Sequence, residues 1–412
     1  METTTKNNFK RTNIVSYIKR HVKLLASAFE WKPKGGYFTD YRFFLDGLAK
    51  GALWFASRSE MFRNKKLSHR LHGNKIPSRS RRFDRIAGLS NREIRRGSWR
   101  LYKQRKRQKS IGPNEIIVFD LTGFELPESF SGGYWYWKKV KGEEKYIYGI
   151  QAVVVAVVDP SGDCLTLAVE MVKAGEGELA AAKRMLRWLE KLYQKNRWKL
   201  PPIVCDRGYI DGDFIKRADA ISLGFVGKPR CDLDFLVNGL GILEMVWDNP
   251  KLVSQYDRGS ITFKRKTTEA KTFHLWEVAD LESWDRLGLN LRLIVSVNEH
   301  DPADTEYFFT TGHQFNIPAA MVFLCYKWRW HIECWFEQTK HISGKTPDSW
   351  DAGTLLIIYH LQCLGYLLFK LYLKFRRVGL DTCVLYEEAR HFLLEVMFDL
   401  RLHPGEQTAI PP

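Results

Sequence analysis

Apolar residues recur along this chain in two periods, and the change from one to the other divides it. Over residues 13–29 (NIVSYIKRHVKLLASAF) and 41–55 they return every three or four positions, the spacing of helices with one buried face. Basic runs at 63–66, 79–85 and 95–109 interrupt that pattern, so residues 1–112 predict two or three small helices broken by Arg/Lys-rich loops. After Gly112 the period shortens. Residues 115–119 (EIIVF) read as a short strand ending at Asp120, 146–158 (YIYGIQAVVVAVV) as a long β-branched strand closed by the turn Asp159-Pro160-Ser161-Gly162, and 164–171 as a third. Three consecutive strands predict an antiparallel meander.

Helical spacing then returns once. Leu179, Ala182, Met185, Leu186, Leu189 and Leu192 share one face of a helix over 178–193, which leads to a strand at 202–205 ending at Asp206. A helix over 214–220 and a strand at 224–227 complete the order β-β-β-α-β-α-β. Between 228 and 317 the pattern is strand-like, at 242–246, 260–266, 273–278, 291–297 and 307–309, and predicts a β-rich insertion. Pro318 opens a long helix to about 341, and residues 354–375 and 385–400 are helical in pattern. The stretch 355–373 is the most membrane-like, yet His360, Gln362 and Lys370 interrupt it with Gly365 at its middle, which predicts a buried helix. The start METTTKNNFKRTN has no apolar core of a secretory signal, and no repeat recurs at 20 to 50 residues.

The resulting fold class is α/β: a mixed sheet flanked by helices, with a basic helical segment at 1–112, a first sheet portion at 113–227, the insertion at 228–317, a helix at 318–345 and a helical region at 346–412. Composition adds a partner. The chain has 412 residues, 45% of them hydrophobic, enough for a large core and incompatible with disorder. Its formal charge is +17, but residues 1–112 hold 29 Lys+Arg against 7 Asp+Glu, while the other 300 hold 35 against 40. The whole basic excess is therefore N-terminal, as in a segment that grips phosphates joined to a body with another task. Seven scattered cysteines without a C-x-x-C pair indicate reduced thiols rather than a disulfide framework or zinc knuckle. His69 and His72, three apart with no Cys or carboxylate nearby, read as surface or phosphate-contacting groups.

Two aspartates follow apolar strands, Asp120 in VFDLTGFE and Asp206 in VCDRGYID. In a β-β-β-α-β order the first and fourth strands can run side by side and parallel, which sends both carboxylates out of one sheet edge, a metal-site arrangement. Each could instead cap the segment that follows it. On the helix after Pro318, Tyr326, Arg329, Glu333 and Lys340 fall at i, i+3, i+7 and i+14, one stripe carrying an acid, two cations and a phenol. That set suits a metal-ligating carboxylate beside cations that hold phosphates, or a plain Arg329–Glu333 surface pair.

Taken together, DLTGF, DRGY and the spacing Tyr326-x2-Arg329-x3-Glu333-x6-Lys340 resemble the DDE insertion-sequence transposases with the YREK signature, over about residues 113–345. The resemblance implies a ribonuclease-H-like fold interrupted by a β-rich insertion. It further implies that Asp120, Asp206 and Glu333 bind two Mg²⁺ or Mn²⁺ ions, and that Tyr326, Arg329 and Lys340 contact the backbone of transposon-end DNA. The implied reaction excises an insertion sequence by 3′-strand nicking, hairpin formation and hairpin resolution, then transfers strands into target DNA. Trp330 matches a position where relatives carry a base-stacking tryptophan, and Trp328, Trp276 and Trp284 are further aromatic candidates. The implied partners are double-stranded DNA, as terminal inverted repeats and target, and a second copy in a synaptic homodimer, with no membrane; the implied place is the cytoplasm, at a prokaryotic nucleoid. Glu125, Asp211, Asp213, Asp232 and Asp234 are taken as supporting or surface acids. A nuclease of this fold without strand transfer, and a catalytically silent DNA-binding protein, are the alternatives.

Overall fold

The β-branched run ending at Val158 becomes the spine of the molecule. The computed structural model describes residues 90–107, 114–140, 143–230, 233–264, 269–281, 289–311, 317–343 and 351–376; the expected helices at 13–29, 41–55 and 385–400, His69, His72, Asp232 and Trp284 lie outside them. In chain order the elements are α1 (Asn91–Arg107), β1 (Ile116–Glu125), β2 (Tyr134–Val140), β3 (Glu143–Val158), β4 (Cys164–Val172), α2 (Glu178–Asn196), β5 (Ile203–Cys205), α3 (Gly212–Ile221) and β6 (Phe225–Gly227). There follow α4 (Asp234–Trp247), α5 (Pro250–Tyr256), β7 (Asp257–Phe263), β8 (Lys271–Leu281), β9 (Leu291–Asn298), β10 (Asp301–Thr310), α6 (Ala319–Ser343) and α7 (Ala352–Arg376).

All ten strands join one mixed sheet in the order β2-β3-β1-β5-β6-β10-β9-β8-β7, with β4 beside β3. β1 is antiparallel to β3 and parallel to β5, and β5 is parallel to β6. The strands of the expected insertion continue this sheet, because β10 pairs antiparallel with β6. Phe119 packs its ring on Tyr209 and Phe214 on one face, while Phe124 meets Tyr359 of α7 on the other, so helices cover both faces. Val153, Val154 and Val155 are fully buried between those layers, as expected of a strand apolar on both faces.

Four expectations need correction. Residues 242–246 are helical, inside α4. A five-residue apolar run does not distinguish strand from helix, and here Leu236, Leu243 and Val246 are buried at helical spacing while Gly239 lets the helix lie against Leu293 and Leu281. The basic run from Arg95 is helical as far as Arg107 rather than a loop. A capping box, in which Ser90 Oγ accepts from the Glu93 N–H and Glu93 accepts from the Ser90 N–H, starts α1. Ile94, Ser98, Leu101, Tyr102 and Arg105 then form its buried stripe, with Trp99 stacked on Trp198 at 5.6 Å. Ser98 Oγ also lies 3.0 Å from Nε2 of His360 in α7, whose pKa burial pushes down to about 4. Third, β1 does not end at Asp120 but runs on to Glu125, because β3 continues to pair with it.

The fourth correction is β2, an additional strand inside what read as a connection. Both faces of YWYWKK are aromatic, so no apolar-polar alternation marks it, although the buried Tyr136 between the exposed Trp135 and Trp137 shows the period-two pattern. Gly149 pairs with Glu125 of β1 and with Tyr134 of β2, which sets β2 and β4 along successive lengths of the same side of β3. A Cβ at Gly149 would overlap the Phe124 carbonyl oxygen. Gly149→Ala is therefore expected to destabilise the fold by about 1–3 kcal/mol, the usual cost of overpacking a rigid site. A urea melt with an unchanged midpoint would show that the strands can part there.

Candidate active site

Phe119 and Cys205 are the last register partners of the parallel pair β1 and β5, and Asp120 and Asp206 are the residues that follow. Both are thus delivered to one sheet edge at one level, flanked by the fully buried Phe119, Val204 and Cys205. Their backbones then diverge. β1 continues, and Asp120 Oδ1 accepts the N–H of Leu121 at 2.8 Å. After Asp206 the chain turns, and its Oδ1 accepts the N–H of Arg207 at 2.8 Å, capping the single 3-10 turn Arg207–Tyr209. Capping and delivery to the edge are, in Asp206, the same conformation.

The helix α6 crosses this edge. Buried Arg292, paired with Glu277, donates to the Ile317 carbonyl at 2.8 Å and pins its start, while Phe323 packs on Phe273 and Phe308. That placement brings three members of the predicted stripe to the aspartates. Tyr326 donates its O–H to Asp206 Oδ1 at 3.1 Å. Arg329 donates from Nη1 to Asp120 Oδ2 at 3.3 Å and from Nη2 to Glu333 Oε1 at 2.6 Å, and Nη2 lies 4.0 Å from Asp206 Oδ2. One guanidinium therefore bridges all three acids. The Arg329–Glu333 pair expected of a surface helix does form, but it points into the site.

Lys340 lies on the same helix, seven residues after Glu333. Trp330 is half-buried beside His331, ring centroids 6.3 Å apart, and Trp328 is buried in the core. Trp276 stands away from the acids, on β8, where it lines a cavity of about 620 Å³ with Trp247, His274 and Tyr307. Of the extra acids, Glu125 is exposed at the end of β1, Asp211 caps α3 and pairs with Lys183 at 2.8 Å, and Asp213 reaches Lys183 and Arg217.

The electrostatics of the site centre on Asp120. Burial pushes its carboxyl up to about 7, with Glu333 and Asp206 adding to the rise while Arg329 and the Leu121 N–H oppose it. Burial works against the charge of Arg329, yet Tyr326, Asp120, Glu333 and Asp206 outweigh it and raise its pKa. The Tyr326 phenol is raised by its burial. The arrangement is an acidic cluster with more negative charge than one cation neutralises.

Sequence reasoning missed several neighbours of this cluster. β4 runs in the same sense as β1, so α2 begins at the same edge and sets Glu178 near Asp206; burial and that carboxylate raise the Glu178 pKa. Its side chain lies so close to Gly208 that a Cβ there would overlap Oε1, which accounts for the glycine in DRGY. Just past β6, Lys228 sits 5.6 Å from the centre of the Tyr326 ring and 3.1 Å from Glu306, which also pairs with Lys327. A strand-end position, the feature that singled out Asp206, was available for Lys228 as well.

Among the described residues, no three His, Cys, Asp or Glu side chains stand close enough to hold one ion, since the carboxylates converge on Arg329 rather than on each other. The donor set nonetheless fits a hard divalent cation: it offers oxygen only, and it already gathers round a positive charge. Among the described residues no helix is long and apolar enough to cross a membrane.

The chain matches no curated protein. Among solved structures it is similar to a piggyBac transposase determined by cryo-EM in a synaptic complex with hairpin DNA, at 11% identity and a TM-score of 0.38, over 96% of this chain and 80% of that one. The family described as Transposase DDE domain matches residues 111–346, a span that contains Asp120, Asp206 and Glu333 and more than half of the chain. The chain belongs to the transposase DDE domain family.

Proposed function

We propose that this transposase is of the YREK-signature kind: it excises an insertion sequence from double-stranded DNA by nicking and hairpin formation, and transfers the freed ends into target DNA as a synaptic homodimer. The observation that carries the proposal is the register of β1 against β5, with Asp120 and Asp206 emerging together and α6 bringing Glu333 to them. Asp120, Asp206 and Glu333 would hold two Mg²⁺ or Mn²⁺ ions, which when bound supply charge stabilisation at the attacking and leaving oxygens of an in-line displacement. Tyr326 orients Asp206 through its hydrogen bond, and Arg329 gathers the three carboxylates round its guanidinium. Lys340 falls on the stripe of α6 that carries Tyr326 and Arg329, and with them would contact the backbone of the end DNA beside the cut. Trp330, half-buried on that helix, has a ring against which an unstacked base can rest.

The test is to incubate purified protein with labelled DNA carrying the ends of its own element, in Mg²⁺ or Mn²⁺ and in EDTA, and to resolve the products on a denaturing gel. Metal-dependent nicks at the element boundary followed by a hairpin are expected. Cleavage without end preference would favour a plain nuclease, and binding without cleavage in either metal would refute the catalytic reading.

The basic segment enters as the main phosphate grip. Since α1 belongs to the core, a deletion must stop before residue 90, removing 20 Lys+Arg and 6 Asp+Glu. Deleting residues 1–89 is expected to flatten the dependence of log affinity on log salt by about 0.9 for each phosphate that the shortened protein no longer neutralises. An unchanged slope, measured by fluorescence anisotropy from 50 to 300 mM salt, would place this segment off the DNA.

A further inference from the structure

The β2–β3 ribbon carries a surface that the acidic site does not use. Trp135, Trp137 and Tyr146 are 49%, 62% and 53% exposed, whereas among the described residues the other large rings, Trp247 apart, are mostly covered. The register sets Trp135 opposite Tyr148 and Trp137 opposite Tyr146, so the four rings share one face. They form a ladder: Trp137 meets Tyr146 edge-on at 4.2 Å, Trp135 meets Tyr148 at 5.5 Å, and Trp135 stacks on Tyr146 at 6.1 Å and 25°. Lys138 and Lys145, paired across the strands, are exposed on the ribbon's other face, with Lys145 3.2 Å from Glu143.

Topology ties this ladder to the active site. Asp120 is opposite Val154, and alternate residues back along β3, through Ala152 and Ile150 to Tyr148 and Tyr146, lie on the same sheet face as Asp120. Beyond Gly149 the ribbon leaves β1 behind and extends past the edge at which Asp120 and Asp206 emerge. Eight residues of strand separate Val154 from Tyr146, about 26 Å.

We infer that this ladder binds an unpaired stretch of DNA strand adjoining the cleavage site, an inference that rests on the DNA-cutting reading above. An intact duplex presents phosphates and groove edges, whereas unpaired nucleotides present flat apolar faces that stack on exposed rings. Rings two residues apart on a strand are roughly 6.7 Å apart. That is about twice the 3.4 Å rise per nucleotide of a stacked strand, so the ladder matches bases drawn apart from one another. Lys138 and Lys145 form the next pair along the ribbon, and though they face the other way their charge adds to the positive field around the rings. A strand unpaired at the cut and running about 26 Å beyond it, past the end of β1, would reach these rings.

The experiment uses the full-length protein, a fluorescent oligo(dT), and a duplex of the same length carrying an element end, with anisotropy for affinity and light scattering for mass. In the Trp135→Ala/Trp137→Ala variant, affinity for oligo(dT) is expected to fall at least about thirtyfold, as the loss of two stacking rings implies, while duplex affinity changes less than about threefold. Trp135→Phe/Trp137→Phe should restore most of it, and the melting temperature of either variant should match wild type. Unchanged oligo(dT) binding in the alanine variant overturns the proposal while leaving the transposase reading intact. So does a fall in molecular mass, which would make the ladder a contact between copies of the chain, or a rise in duplex affinity, which would make it a seat for a segment of its own chain. A wild-type protein that binds neither DNA overturns both readings together.

Discussion

Asp120→Asn is expected to slow DNA strand cleavage about a thousandfold while element-end binding stays within a few-fold. The magnitude follows from losing several kcal/mol of charge stabilisation at the reacting oxygens, at about 1.4 kcal/mol per factor of ten. On the proposed function binding survives, because the acid would hold metal while the basic segment would hold the phosphates. Asp206→Asn and Glu333→Gln are expected to act alike, since the three carboxylates converge on one guanidinium and behave as a unit. Single-turnover cleavage of a pre-nicked end, beside anisotropy binding, separates the effects. Equal loss of binding in all three variants would mean that the acids organise the fold rather than the chemistry.

Arg329→Ala is expected to lower stability by about 3 kcal/mol above neutral pH, the usual cost of stranding one half of a buried ion pair. That cost belongs to the Arg329–Asp120 pair, whose side chains are only 11% and 15% exposed; Asp206 and Glu333 are 47% and 42% exposed and contribute less. The pH dependence has a definite sign. An unfolded Asp120 loses its proton near 3.8, but the folded one keeps it to about 7, so this residue's contribution to stability is full below the lower value and is lost as pH rises to the upper one. Without Arg329 the folded carboxyl holds its proton to still higher pH, so the loss continues past the point at which wild type levels off. Thermal melts from pH 5 to 9 should show the gap between the two proteins opening above about pH 7. A gap of constant size would mean that Arg329 acts through packing alone. The same Arg329→Ala protein, assayed for DNA binding, reports whether the guanidinium also grips phosphate.

Much of the site is legible in the chain alone. Apolar runs stopping at Asp120 and Asp206, and the helical stripe from Tyr326 to Glu333, are local patterns, and period and spacing survive whatever the rest of the chain does. The elements failed to read where the local signal was ambiguous. The run at 242–246 is as apolar as a strand but helical, and the aromatic strand at 134–140 hides its alternation because rings occupy both faces. The basic run from Arg95 looked like surface because its charges outnumber its apolar residues, yet Trp99 and Tyr102 are enough to fix α1 in the core. The insertion was recognised as strands, but nothing in its pattern says that β10 pairs with β6 and extends the same sheet.

The α/β order, the segregation of basic charge into the first quarter, and three acids, a phenol and two cations at spacings that fit one site are all written in local pattern. It takes the folded chain to set Asp120 level with Asp206, Arg329 among all three carboxylates, Glu178 and Lys228 at their border, and the aromatic ribbon beyond the same edge. The physical reason is the range of the interactions. Helical and strand periods come from backbone geometry repeating over a few residues, whereas the register that levels Asp120 with Asp206 joins strands about 86 residues apart, and Arg329 reaches Asp120 from 209 residues away.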